Sequence, residues 1–138
     1  FSGGDNEYLP HNHVKNSVVY PGTHDNTTIT AWWESAATPK EKATAAAYLH
    51  LTGAHPTAKE LAAVKTADAR TALLRAALGS VADRAIIPMY DWLGLGEEAH
   101  LNTPGKLGGN WAWRAAAGFE SKTLAKTIAD ECSVYCRV

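Results

Sequence analysis

Two short apolar runs in the chain are each followed by a polar loop and then by a helical pattern. The first run, residues 17–20, is β-branched and aromatic and stops at Pro21-Gly22, which predicts a short strand. The second run, residues 84–90, is similar and is followed by Asp91 and a glycine-rich stretch. A strand followed by a polar loop and a helix is the βα unit, so the pattern predicts an α/β fold.

The remaining segments have helical patterns. An apolar helical pattern opens at Ile29, and capping-box sequences at 38–41 and 57–60 predict two helix starts. Gly79 is placed to end the second of these helical regions. A last helix is predicted from about Ser121. Its apolar stripe consists of Leu124, Ile128, Cys132 and Tyr135. We interpret these helices as scaffold.

Long polar loops after both predicted strands indicate where function would lie. In a (β/α)₈ barrel, active-site residues gather at the C-terminal ends of the strands. Two strands cannot close a barrel. We therefore expect a helix-rich α/β chain that forms the last part of a larger barrel, with residues 1–138 as one piece of a single catalytic domain. The start at Phe1, without Met, fits that expectation.

Composition narrows the possible partners. Apolar residues make up 46% of the chain, charged residues 20%, and the net charge is −1, as in an ordinary globular protein. Near-neutrality gives no electrostatic reason to expect nucleic acid or an anionic membrane as partner. No apolar run approaches the roughly 18 residues that cross a bilayer. Cys132 and Cys136, four residues apart, are predicted to be reduced thiols on one helix face.

The segment Thr23-His24-Asp25-Asn26 is the first candidate for chemistry. A carboxylate beside an imidazole in a βα loop can bind sugar hydroxyls and stabilise positive charge at an anomeric carbon. The alternative is that Asp25 or Asn26 caps the following helix. Local chemistry alone does not separate the two interpretations.

A second polar cluster is His11-Asn12-His13. These histidines, with His24 and Asp25, could form the ligand set of a metal-dependent hydrolase. The competing interpretation is that they are loop residues that bind neighbouring backbone or sugar hydroxyls.

Five tryptophans could stack on sugar rings. We instead predict Trp32 and Trp33 in the core, and Trp111 and Trp113 packed beneath the glycine-rich loop that precedes them. These rings would serve another possible function of the chain, that of a non-catalytic carbohydrate-binding piece.

A set of motifs occurs in one order and resembles the C-terminal part of the 4-α-glucanotransferases, the family called amylomaltase in bacteria and disproportionating enzyme in plastids. The motifs are Tyr8-Leu9-Pro10-His11-Asn12-His13, Val18-Val19-Tyr20-Pro21-Gly22-Thr23-His24-Asp25-Asn26, Ile86-Ile87-Pro88-Met89, Gly94-Leu95-Gly96, Asn102-Thr103-Pro104-Gly105 and Gly109-Asn110-Trp111-Ala112-Trp113-Arg114. The resemblance extends from about residue 1 to residue 137.

The resemblance implies a (β/α)₈ TIM barrel of the α-amylase superfamily. It also implies transfer of an α-1,4-glucan segment to the 4-hydroxyl of another glucan or of glucose, with retention through a covalent glycosyl-enzyme. Retention uses two carboxyl groups about 5 Å apart. In the family the nucleophile Asp and the acid/base Glu come from earlier strands, before Phe1, so the 138 residues alone are expected to be inactive.

The resemblance assigns roles to particular residues. Asp25 matches the third carboxylate, the transition-state stabiliser, with His24 beside it. The implied substrate-binding residues are Asn102, Pro104, Asp5, His11 and Asn12. The implied substrates are α-1,4-glucans and maltooligosaccharides. No metal and no other cofactor is expected.

Three places depart from the family pattern. Thr27 stands where an acidic residue is usual, Tyr90 where Gln is usual, and His100-Leu101 where Arg-Met is usual. These departures affect the predicted loop geometry and acceptor preference, while Asp25 is retained.

Around Pro10 to Tyr20 the resemblance leans towards plastid enzymes. An intracellular setting in a plastid stroma is therefore favoured, with a bacterial cytoplasm as the other possibility.

Overall fold

The computed structural model describes residue 1 and residues 3–137. Strands β1 (Val18–Val19) and β2 (Arg84–Ala85) are parallel neighbours, with Val18 opposite Arg84 and Val19 opposite Ala85. Both strands were predicted, and both are shorter than predicted. The second was expected to reach residue 90, which is wrong, because Pro88 instead caps a helix that contains Met89 and Tyr90. Proline fixes φ near the helical value and removes the N–H that a sheet would use.

Six α-helices lie around this strand pair in the described residues. Between the strands are α1 (Ile29–Ala31), α2 (Pro39–Tyr48), α3 (Ala58–Ala63) and α4 (Thr66–Leu78), and after β2 come α5 (Met89–Leu93) and α6 (Lys122–Val134). Helix α1 continues as one π-helical turn, Trp32–Ala36, and short 3₁₀ turns lie at Pro10–Asn12 and Glu97–Ala99. The predicted helix-rich α/β character is therefore present.

Local signals place the helix ends. Thr38 and Thr57 each begin a capping box, in which the Thr side chain accepts the N–H of a Glu three residues on and that Glu binds back. Gly79 ends α4, as predicted, with a right-handed φ of −78°. Ser121 caps α6 by accepting the N–H of Leu124 at 3.1 Å. These caps satisfy N–H groups that have no partner inside the helix.

Two small cores position the helices. Trp33, 5% exposed, packs on the alanines Ala45, Ala46 and Ala69, each with no exposed surface. Small side chains let α2 and α4 approach the indole closely. The predicted core position is confirmed for Trp33, whereas Trp32 is only partly buried.

A second cluster links helix α4 to the strands. It consists of Val19, Ala77 and Ala82, with Ala85 packed against it. Because Val19 belongs to β1 and Ala77 to α4, this cluster seats the helix on the strand that leads into the His24-Asp25 loop.

The last helix packs on α4, and its predicted apolar stripe is half-buried. Leu124, Ile128 and Cys132 are half-buried on α6, and so is its C-cap residue Tyr135. Cys136, however, lies beyond the helix end with φ +52°, so the prediction that the two cysteines share one helix face is wrong. Both cysteines are free thiols. Among the described residues, none of the helices could span a bilayer.

Candidate functional site

The carboxylate of Asp25 lies between two polar side chains in the loop after β1. Its Oδ1 accepts a hydrogen bond from Asn102 Nδ2 at 2.5 Å and lies 3.2 Å from His24 Nε2. The side chains of His24 and Asp25 are 50% and 46% exposed. The carboxylate is thus fixed by neighbours yet open to solvent, as a group that binds a ligand must be.

Helix capping does not occupy this carboxylate. The N-cap of α1 is Thr28, whose hydroxyl accepts the N–H of Ala31 at 3.1 Å. The side chain of Asn26 accepts the N–H of Thr23 at 2.9 Å and so closes the turn around Asp25. The structure therefore does not show the alternative that Asp25 or Asn26 caps the following helix.

The loop after α5 is joined to the Asp25 loop at two places. Near one end, the Asn102 main-chain N–H donates to His24 O at 3.1 Å, beside the side-chain bond to Asp25. At the other end, the Thr27 hydroxyl donates to Glu97 Oε2, while Glu97 Oε1 lies 2.9 Å from His100 Nδ1. The bonds from Thr27 and His100 lower the pKa of Glu97.

These contacts bear on two of the departures from the family pattern. Thr27 and His100 share Glu97 as a partner. The Thr27 contact joins the two loops, whereas the His100 contact lies within the loop after α5. The ring of His100 is mostly buried, and its Nε2 has no hydrogen-bond partner among the described residues. Sequence reasoning did not single out Glu97.

Trp111 lies at the surface beside His24. It is 53% exposed, its indole lies 4.9 Å from the His24 ring, and its backbone is left-handed with φ +61°. The main-chain N–H of Trp111 donates to Leu101 O at 2.6 Å. The prediction that it packs beneath the loop is wrong. A non-glycine residue with positive φ at a site is a strained feature that its surroundings must stabilise.

Trp113 has a different environment from Trp111. It is half-buried and packs edge-on against Tyr90, with centroids 6.0 Å apart at 80°. Tyr90, a departure from the family pattern, is 4% exposed, and burial raises its pKa. Tyr90 therefore contributes an aromatic packing contact behind the loop.

The other predicted binding residues lie apart from these contacts. His11 contacts Tyr48 OH at 2.9 Å and Gly4 O at 2.7 Å, and Asn12 donates to Gly4 O and Asn6 O. Their hydrogen bonds fold the N-terminal segment onto itself and onto α2. Asp5 is exposed in a turn of that segment.

Pro104 lies in a different exposed turn. That turn belongs to a loop closed by Asn110, which accepts the Thr103 N–H at 3.0 Å. Pro104 is therefore two residues from Asn102, on the loop that reaches Asp25.

The hypothesised metal ligands do not gather. His13 Nδ1 lies 2.6 Å from Ser80 Oγ, whereas His11 contacts Tyr48 and His24 contacts Asp25. Within residues 1 and 3–137, no group of three or more His, Cys, Asp or Glu side chains is arranged to hold a metal ion. The donor set required by the metal-dependent hydrolase hypothesis is thus dispersed.

A buried carboxylate, Asp91, lies beneath the site. It is 2% exposed and its Oδ1 accepts the N–H of Ile29, the first residue of α1, at 2.8 Å. Burial raises the pKa of Asp91 to about 6, although the Ile29 bond and the charge of Arg70 oppose the shift. The sequence marked Asp91 only as the polar end of a strand. Its burial depends on contacts distant in sequence.

The chain is similar in sequence to known proteins of one family. The 4-alpha-glucanotransferase family model matches residues 1–120. The chain is 42% identical over 142 residues to the chloroplastic/amyloplastic 4-alpha-glucanotransferase of Arabidopsis thaliana, covering 100% of this chain and 22% of that protein. It is 42% identical over 118 residues to 4-alpha-glucanotransferase of Thermus thermophilus, covering 84% and 22%.

A solved structure is also similar. Amylomaltase from Streptococcus agalactiae in complex with acarbose matches with a TM-score of 0.80 and 28% identity, over 97% of this chain and 24% of that one. The chain therefore belongs to the 4-alpha-glucanotransferase family. It spans about a fifth of the length of the curated relatives described above, at 22% of each.

Proposed function

We propose that this chain is the C-terminal part of a (β/α)₈ catalytic barrel of the α-amylase type in a longer 4-α-glucanotransferase. Family membership supports the proposal, as does the parallel pair of β1 and β2. The loop after β1 and the loop after α5, the helix that follows β2, meet at Asp25, which is the arrangement expected at the catalytic end of a barrel.

The proposed reaction has two displacements at the anomeric carbon. A carboxylate nucleophile attacks C1 of an α-1,4-glucan, and the C1–O4 bond breaks as the acid/base residue protonates the leaving 4-oxygen. The 4-hydroxyl of an acceptor glucan or glucose then attacks C1, returns its proton to the acid/base residue and releases the nucleophile. We assign the nucleophile Asp and acid/base Glu to parts of the longer protein that precede Phe1.

In this mechanism Asp25 stabilises the oxocarbenium-like transition states. Its carboxylate would bind hydroxyls of the sugar at the cleavage point and oppose the positive charge that develops there. The observation that carries the proposal is the fixing of Asp25, half-exposed, between His24 Nε2 and Asn102 Nδ2. Asn102 and Pro104 would flank the glucan groove on the loop after α5. Asp5, His11 and Asn12 remain predicted substrate contacts.

The test is glucan transfer by the full-length protein carrying Asp25→Asn. With maltotriose as sole substrate, the parent should release glucose and form a ladder of longer maltooligosaccharides. The substitution keeps the shape but removes the charge, so we expect turnover to fall by roughly 10³-fold, while circular dichroism and the unfolding midpoint stay unchanged. The matched control is Asp68→Asn, an exposed carboxylate on α4, which should transfer at the parent's rate.

Other outcomes would favour the alternatives. Transfer by Asp25→Asn at near the parent's rate would remove Asp25 from the mechanism. Binding of maltooligosaccharides without new products would indicate a carbohydrate-binding module, and activity lost on chelation and restored by a divalent metal would indicate a metal-dependent hydrolase.

The comparisons do not favour one cellular compartment, because a plastid relative and a bacterial relative are both 42% identical to this chain. We propose a plastid stroma or a bacterial cytoplasm, and fractionation of the source cell would distinguish them.

A further inference from the structure

Asp91 is a buried ionisable residue that the proposed mechanism leaves without a role. It is 2% exposed in α5, and its Oδ1 accepts the Ile29 N–H at 2.8 Å across 62 residues of sequence. Ile29 is the first residue of α1, and Thr28 immediately before it is the fully buried N-cap. Asp91 thus binds the point where the Asp25 loop becomes helix.

The surroundings of Asp91 offset only part of the cost of burying a carboxylate. Burial raises the pKa of Asp91 to about 6, and the opposing influences are the Ile29 N–H and the positive charge of Arg70 on α4. The charge of Asp91 also contributes to the raised pKa of neighbouring Tyr90. A buried carboxylate with such limited compensation costs stability, whereas a well-packed apolar side chain of similar volume would not.

Gly94 provides the room for the Arg70 guanidinium. A Cβ built on Gly94 would lie 1.7 Å from Arg70 Nη1, and the residue has φ +71°, which favours glycine. The close approach of Arg70 to the backbone of the loop after α5 therefore requires the absence of a side chain at this position.

We propose that Asp91 is a positioning residue for the transfer reaction. By accepting the Ile29 N–H it fixes the first turn of α1, and with it the loop 23–28 that presents Asp25. This inference rests on the function proposed above. Asp91 touches neither Asp25 nor the sugar in this assignment, and its effect passes through the backbone between residues 25 and 29.

The charge of Asp91 gives the proposal a consequence that a simple packing role lacks. An ionised carboxylate accepts a stronger hydrogen bond than a neutral carboxyl, and a negative charge is favourable at a helix N-terminus. Protonation on the acid side of about pH 6 should therefore weaken the Ile29 bond and loosen the Asp25 loop. The charged and titratable groups that act on Asp91 are Arg70 and Tyr90.

The experiment compares two substitutions in the full-length protein on maltotriose. Asp91→Asn keeps an oxygen that can accept the Ile29 N–H but cannot titrate. The ratio of parent to Asp91→Asn kcat should therefore rise with pH through about 6, because groups common to both proteins cancel. Asp91→Ala lacks the acceptor and should lower kcat by about ten- to a hundredfold with KM changed less than about threefold. Asp68→Ala is the exposed control and should match the parent.

Hydrogen exchange of residues 24–33 gives a readout that does not depend on turnover. We expect faster amide exchange there in Asp91→Ala, and parent-like exchange in Asp91→Asn at neutral pH. If Asp91→Ala does not fold, the kcat ratio and the exchange of Asp91→Asn decide the inference. A kcat ratio that is flat with pH overturns the positioning role, while a maltooligosaccharide ladder from the parent still supports the proposed function. A parent that forms no ladder overturns both.

Discussion

The side chain of Asn102 allows one contact of the site to be removed at a time. Its amide donates to Asp25 Oδ1 at 2.5 Å, and its main-chain N–H separately donates to His24 O at 3.1 Å. Asn102→Ala deletes the first bond and leaves the second in place. The loops should therefore stay joined, and the measured effect should report the fixing of the Asp25 carboxylate.

The size of the effect follows from the charge and exposure of Asp25. A hydrogen bond to an ionised group is worth roughly 1.5–3 kcal/mol. Because the Asp25 side chain is 46% exposed, water can replace part of the lost bond, and the lower end of that range applies. We expect about 1.5 kcal/mol, or roughly a tenfold loss in kcat/KM.

Asn102→Asp probes the same contact with the opposite sign. A second carboxylate would then face Asp25, and like charges at such a distance raise the pKa of one of the pair. Activity at neutral pH should fall below that of Asn102→Ala. It should recover towards that of Asn102→Ala as the pH is lowered and one of the two carboxyls takes up a proton.

The assay is the initial rate of glucose release from maltotriose by the full-length protein, over a series of pH values. Asn110→Ala is the matched control for loop damage, because Asn110 closes the same loop through Thr103 and does not contact Asp25. Equal kcat/KM in the parent and Asn102→Ala would refute the reasoning. A loss in Asn110→Ala as large as that in Asn102→Ala would show that general loop order, and not the Asp25 contact, is what matters.

Three further predictions concern stability and the extent of the active unit. In the full-length protein, Trp33→Ala should lower the free energy of unfolding by about 3–5 kcal/mol, because the indole is 5% exposed among fully buried alanines. A denaturant titration in which the variant unfolds at the same midpoint as the parent would contradict this. Arg75 lowers the pKa of Glu131 through a paired hydrogen bond, and the pair should contribute less than about 1 kcal/mol to the free energy of unfolding. This contribution should be present above the unfolded-state pKa of Glu131 and disappear as the pH falls through the lowered folded-state value. Thermal melts from pH 2 to 7 should show this pH dependence in the parent and not in Glu131→Gln. The 138 residues alone should form no ladder from maltotriose, since we assign the nucleophile and the acid/base residue to the preceding chain, and product ladders on a chromatogram of this piece would refute that assignment.

The helix boundaries were largely predictable from the sequence because they depend on neighbours three or four residues apart. Thr38 and Thr57 with their glutamates, and Ser121 before α6, form caps within a single turn. The α6 stripe likewise follows from helical periodicity alone. The second strand was predicted, but its predicted extension to residue 90 was wrong. Pro88 is compatible with a helix start, and the sequence offered no means to weigh that against the β-branched residues before it.

The site itself depends on contacts between residues far apart in the chain. Motif resemblance pointed to Asp25 and Asn102 separately, but the bond between them spans 77 residues. The Asp91 contact with Ile29 spans 62, and the Glu97 contact with Thr27 spans 70. The exposed, left-handed Trp111 beside His24 was likewise unpredicted. Spacing along the chain specifies helices because the residues that cap and stabilise a helix are close in sequence. Which atoms of distant loops meet is decided by the tertiary packing of β1, β2 and α4, from which the loops extend.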